Sequence, residues 1–249
     1  GAQAVPDFDY SYIRPEGAYI EGANGRAPGP DPLRRALEAV EAILRGAMGR
    51  QLTTLEAHDI MCHAAGCVQS GGVRRSAMIS LFSKGDDAMF HSKSPVELRE
   101  IEGALCYSER SPFLTSGDVG SFKPVPPWLD VAKHRKMIRG IDTLPYWVAT
   151  PHRAAANNSQ LCLRDDTSQE EFDRILRTGL EFGSGEPAAL LTDDLEWGFN
   201  PCAEIAFRAN MFCNVTEINA GDIVDQADYN ARARCAAILG TLQAGYTDY

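Results

Sequence analysis

The sequence predicts an α/β domain built around a largely parallel sheet. Three observations carry this reading. Short apolar runs that suit buried strands alternate with longer stretches whose apolar residues recur at helical spacing, the pattern of βαβ units. Those helical stretches open on capping signals. No linker, internal repeat or low-complexity tract interrupts the 249 residues, so a single domain over 1–249 is expected.

Residues 1–30 are rich in Gly and Pro, and "RPEGAYIEGANGRAPGPD" reads as a long loop. A first helix follows, with Asp31 as its cap, Pro32 in its first turn, and Leu33, Leu37, Val40 and Leu44 on one stripe. A second begins near Thr53, where Thr53 and Glu56 form a capping box, and runs to about Val68 before Gly71 and Gly72 stop it. "AMISLF" (77–82) suits a buried strand, and 107–127 reads as loop. "NNSQLCLR" (157–164) alternates as a strand does. Ser168 and Glu171 open a third helix carrying Phe172, Ile175, Leu176 and Leu180. "AALLTD" and "MFCNVTEI" read as strands, and "YNARARCAAILGTLQAGY" as a last helix.

Composition removes several classes of function. A content of 44% hydrophobic and 23% charged residues is that of a globular chain able to bury a core. No run approaches the roughly 18 apolar residues of a membrane span, and no signal peptide is visible, so the expected location is cytoplasmic with no membrane partner. A net charge of −10 opposes broad binding to nucleic acid. Seven cysteines, without CxxC pairs, suggest reduced thiols.

His58, Cys62, His63 and Cys67 share the second helix. At 100° per residue, the pairs 58/62 and 63/67 lie on faces about 140° apart, so packing is preferred to metal binding and no metal site is assigned. "QSGGVRRSA" (69–77) joins glycines, which admit close backbone approach, to Arg forks that suit a phosphate or a carbonyl edge; a solvated turn remains open. "GFNPCAEIAF" (198–207) spaces Asn200, Cys202 and Glu204 two apart, which in an extended segment puts an amide, a thiol and a carboxylate on one face. Cys213 follows eleven residues later. A carboxylate beside a thiol disfavours the thiolate, which argues against a cysteine protease but not against chemistry that moves hydrogen atoms.

At this point "NPCAEI" followed by "FCNVTEI" resembles the active-site loop and next strand of the ribonucleotide reductase catalytic chain. "SYIRPEGAYIEG…APGPDPL", "SGGVRRSAMISLF", "HRAAANNS" and "LGTLQAGYTDY" are similar, in the same order, to its adenosylcobalamin-dependent class II branch. The resemblance implies part of a ten-stranded α/β barrel with a central finger loop, lacking the first redox-cysteine strand and the later barrel strands. It implies that Cys202 becomes a thiyl radical and takes the 3′ hydrogen of a ribonucleotide. Glu204 then removes the 3′-hydroxyl proton, Asn200 binds ribose hydroxyls, and Cys213 is one of two reducing thiols. Gly71, Gly72, Val73, Arg74 and Arg75 correspond to the loop that reads the substrate base, with Asn158 and Ser159 in a further substrate-binding motif. Arg14, Gly17 and Arg26 fall in the loop for an allosteric nucleotide. Adenosylcobalamin is the implied cofactor and an external dithiol the implied reductant. The implied assembly is a homo-oligomer or a complementing second chain, and a non-catalytic nucleotide-binding or assembly fragment is the alternative.

Overall fold

The computed structural model describes residues 7–21, 25–70, 73–74, 76–114, 120–211 and 213–246. The chain divides into two compact units, Gly1–Leu195 and Glu196–Tyr249.

The first unit opens on a small antiparallel ladder of β1 (Tyr19–Ile20) and β2 (Gly25–Arg26). Helix α1 (Asp31–Gly46) then packs on α2 (Thr54–Cys67). Pro30, not Asp31, occupies the cap position of α1, and Asp31 is the first helical residue, paired with Arg34 at 2.5 Å. The capping box of α2 forms as predicted: Thr53 Oγ1 accepts the Glu56 N–H at 3.2 Å, and Glu56 Oε2 accepts the Thr53 N–H at 2.9 Å. Two short strands, β3 (Gln69–Ser70) and β4 (Val73–Arg74), pair antiparallel and lead to β5 (Met78–Phe82).

After a short helix α3 (Asp87–Phe90) come β6 (Val96–Ile101), β7 (Ala104–Ser108) and β8 (Phe122–Pro124). The one-turn helix α4 (Val131–His134) precedes β9 (Lys136–Ile138) and β10 (Ile141–Leu144). These five strands form an antiparallel sheet in the order β8-β7-β6-β10-β9. Its two tightest turns, Glu102-Gly103 and Arg139-Gly140, hold both residues at positive φ (52° and 79°, 50° and 79°), the two-residue hairpin geometry whose twist matches paired strands. Part of the 107–127 stretch read as loop is therefore strand: β7 ends and β8 lies inside it.

Strand β11 (Ala156–Leu163), helix α5 (Gln169–Phe182) and strand β12 (Ala188–Thr192) complete the unit. β11 pairs parallel with both β5 and β12, giving the order β12-β11-β5 with α5 as one crossover. Ser168 caps α5 by accepting the Glu171 N–H at 3.2 Å. The return half of the predicted box is missing, because the Glu171 carboxylate reaches Lys84 at 2.5 Å and Gln160 at 2.9 Å instead.

Two large apolar cores result, beside a smaller cluster of Cys62, Ala155 and Ala156. Phe82, Met89, Phe90, Cys162 and Ile175 fill one beneath the parallel sheet. Val96, Leu98, Tyr107, Leu144 and Val148 fill the other against the antiparallel sheet. The protein is thus mixed α/β, but the parallel sheet is the smaller one, and the described strands close no ten-stranded barrel.

The second unit contains the antiparallel pair β13 (Gly198–Phe199) and β14 (Ala206–Phe207) and the helix α6 (Gln226–Ala244). Asp225 caps α6 by accepting the Asp228 N–H at 2.8 Å. Arg232 on α6 reaches back to Asp222 at 2.6 Å and to the Asn219 carbonyl at 2.9 Å, tying the preceding segment down. The strand predicted over "MFCNVTEI" is absent from its described residues: 213–220 run without regular structure. Among the described residues no helix is long and apolar enough to cross a membrane.

Candidate functional site

The "NPCAEI" segment is a turn, not an extended strand. Asn200-Pro201-Cys202-Ala203 closes through the Ala203 N–H, which donates to the Asn200 carbonyl at 2.8 Å, with Pro201 at the position whose fixed φ favours such turns. Ala203 takes a positive φ of 63°. The next pair inward is Asn200 and Ile205: the Asn200 N–H donates to the Ile205 carbonyl at 3.2 Å. Because the Asn200 carbonyl already serves Ala203, the Ile205 N–H is received by the Asn200 side chain, Oδ1, at 3.0 Å.

Asn200 is therefore buried, at 8% exposure, and serves as the strut of the turn. Cys202 and Glu204 stand exposed on its outer side, and Cys202 is a free thiol. The sequence reading placed all three groups on one face by strand alternation. Alternation does not operate here, because the chain reverses direction within these residues. Cys213, also free and exposed, sits in the irregular segment that follows.

Of the residues assigned to the substrate loop, Gly71, Gly72 and Arg75 lie outside the described residues. Val73 and Arg74 form β4, paired in register with Ser70 and Gln69. Asn158 and Ser159 lie on β11, 1% and 5% exposed. The Asn158 N–H donates to Glu186 Oε1 at 2.6 Å, and Nδ2 donates to Ser92 Oγ at 2.7 Å. Of the effector-loop residues, Gly17 and Arg26 line a cleft of about 620 Å³ beside Glu16, Asp31, Arg35 and Gln69. Arg26 donates to the Gly17 carbonyl at 2.9 Å, while Arg14 is exposed nearby in sequence.

One group of residues escaped the sequence reading. Around Asn158 lies a buried polar network: Lys93 donates to Glu186 at 2.5 Å and to the Ala156 carbonyl. Arg153 grips Asp59 with both arms, Nε at 2.6 Å and the second terminal nitrogen at 2.7 Å, and gives its remaining arm to the Ser92 carbonyl at 2.7 Å. His152 completes the set 3.0 Å from Asp59. Arg153 belongs to the quoted "HRAAANNS" stretch, but its partner Asp59 is 94 residues away, and no local signal joins them.

The helix-2 histidines and cysteines divide as the helical wheel requires. Cys62 contacts His58 Nε2 at 3.4 Å, and His58 Nδ1 meets Ser80 Oγ at 2.8 Å, all turned inward. Burial pushes the His58 pKa down to about 4, with Asp59 opposing and Arg153 reinforcing the fall. His63 stacks on His152 at 4.1 Å, and Cys67 donates to the Ala64 carbonyl. Among the described residues no cluster of His, Cys, Asp and Glu can hold a metal ion.

Comparison with known proteins bears on the family. No family model matches the chain, and no solved structure matches it. The adenosylcobalamin-dependent ribonucleoside-triphosphate reductase of Levilactobacillus brevis is 42% identical over 86 residues, covering 34% of this chain and 12% of that protein. The enzyme of the same name from Lactobacillus leichmannii is 41% identical over 103 residues, covering 39% of this chain and 14% of its own. That from Lactobacillus gasseri is 44% identical over 80 residues, covering 32% of this chain and 11% of its own. The chain thus matches well under a fifth of the length of these curated relatives. Part of this chain is similar, at about 40% identity, to part of the adenosylcobalamin-dependent ribonucleoside-triphosphate reductases, the family its motifs resemble.

Proposed function

We propose that this chain carries part of the catalytic machinery of an adenosylcobalamin-dependent ribonucleotide reductase, within the finger-loop portion of the family's ten-stranded barrel. The observation that carries the reading is the turn itself: an exposed free thiol, Cys202, with Glu204 exposed two residues on, on a loop braced from inside by Asn200. Such a thiol suits a radical initiator. Adenosylcobalamin, when bound, supplies that radical through its cobalt–carbon bond, a task side chains do not perform unaided. No described residue is assigned to its ring.

In this reading Cys202, as a thiyl radical, takes the 3′ hydrogen of the ribonucleotide, so that an S–H bond forms, the C3′–H bond breaks and the unpaired electron passes to C3′. Glu204 accepts the 3′-hydroxyl proton. Asn200 has committed Oδ1 to Ile205, so its Nδ2 group is what it offers to a ribose oxygen. The 2′-hydroxyl leaves as water, and two thiols supply the electrons and protons; Cys213 is one of them, and an external dithiol restores the pair.

In the first unit, β4 and the residues around it read the base. The cleft beside Gly17 and Arg26 takes an allosteric nucleotide. Asn158 and Ser159, on β11, belong to the substrate-binding motif, Asn158 held there by its bonds to Glu186 and Ser92. The proposal extends to a cytoplasmic protein that works as a homo-oligomer or with a complementing chain.

Release of label tests the radical step. With a ribonucleoside triphosphate labelled at the 3′ hydrogen, adenosylcobalamin and a dithiol under anaerobic conditions, label should pass to the protein thiol and from it to water. A Cys202→Ala variant that releases label at the parent rate would overturn the assignment.

A further inference from the structure

The hairpin that carries Cys202 is too short to hold itself. Its ladder has two pairs, Gly198 with Phe207 and Phe199 with Ala206, and isolated two-stranded hairpins are marginal in water even when longer. At its tip Asn200 braces the turn through Ile205. At its open end the next cross-strand position brings Trp197 opposite Arg208.

There the main chain is diverted. The Arg208 N–H donates to the Met211 sulfur at 3.1 Å, and the Arg208 carbonyl accepts the Met211 N–H at 3.2 Å. Side chains provide the cross-strand tie instead: the Arg208 guanidinium lies over the Trp197 indole, 4.6 Å from the ring centroid. A guanidinium over an indole face is a favourable cation–π pair that keeps part of its strength when partly exposed.

We propose that Trp197 and Arg208 are positioning residues that clamp the open end of the hairpin and so hold the Cys202 turn in register. Neither acts on a substrate; both act through the ladder and through Asn200. The consequence for catalysis rests on the proposed function, whereas the clamp is measurable without turnover.

The test is amide exchange on the purified full chain at Ala203 and Ile205, whose N–H groups are bonded only while the turn is closed. Arg208→Gln and Trp197→Ala should each speed exchange there by about two- to fivefold, the range expected for one exposed cation–π pair. Trp197→Tyr and Arg208→Lys, which keep a ring and a cation, should restore at least half of the lost protection. Exchange across β11 and α5 should not move in any variant. Unchanged protection at Ala203 and Ile205 in Arg208→Gln and Trp197→Ala overturns the clamp, and so does equal loss in Trp197→Tyr and Trp197→Ala, since that would make the indole mere packing. Faster exchange in a protein that releases no 3′ label would sustain the clamp and overturn the proposed function alone.

Discussion

Asn200 Oδ1 accepts the Ile205 N–H at 3.0 Å, and this side-chain bond replaces a carbonyl that the turn has already used. The amide orientation is fixed by the donor it faces, since the opposite flip would set N–H against N–H. Asn200→Asp keeps the acceptor and should leave the Ile205 amide resonance and its protection in place, while removing the donor offered to a ribose. Asn200→Ala should lose both, at a cost of about 1–3 kcal/mol for the stranded N–H. Equal behaviour of the two variants in an amide-exchange measurement would contradict the strut.

Asp59 makes stability depend on acid. Its burial favours protonation, yet the hydrogen bonds from Arg153 and His152 outweigh that and hold its pKa well below the usual carboxylate range. A carboxylate depressed in the folded state gives stability that is complete above its unfolded pKa of about 4 and is lost as pH falls further. Asp59→Asn should cost about 3–5 kcal/mol at neutral pH by leaving Arg153 unpaired, and should flatten the stability profile below pH 4. Denaturant titrations across that range check both parts.

His58 acts in the window above. With a folded pKa of about 4 against 6.5 unfolded, its neutral form is the native one. Stability is whole above about pH 6.5 and declines by about 3 kcal/mol as pH falls to 4, because the unfolded chain takes the proton first. Following the imidazole resonance by NMR should give a midpoint near 4; a midpoint of 6 or higher would mean the His58–Ser80 pocket is wet.

Ile175 is fully buried on the face of α5 that covers the parallel sheet. Ile175→Ala should destabilise the first unit by about 2–5 kcal/mol, the range for emptying such a site. Loss of β11 protection without change at Ile205 would place the effect within that unit.

What the sequence disclosed follows from where each signal resides. Thr53 and Glu56 are three residues apart, so their capping box was legible, as were the Ser168 cap and the apolar run 78–82. The antiparallel sheet was missed because its hairpins turn on Glu102-Gly103 and Arg139-Gly140, whose first residues are not the Asn or Asp that usually advertise positive φ. The strand reading of "MFCNVTEI" misled: its described residues pair with no described strand, and Val215 at 68% exposure packs against little. At the candidate site the residue types were readable but the geometry was not. Pro201 and the positive φ of Ala203 fold the segment back, and only the three-dimensional structure shows Asn200 turned inward while Cys202 and Glu204 face out.

In the proposed mechanism Cys202 does radical chemistry on a ribonucleotide. Its most direct measurement is anaerobic formation of deoxynucleotide by the purified chain, supplied with adenosylcobalamin, a dithiol and each ribonucleoside triphosphate in turn, beside a Cys202→Ala variant of unchanged fold. Product should form with the parent and stay at background with the variant. Product from both at equal rates would contradict the mechanism.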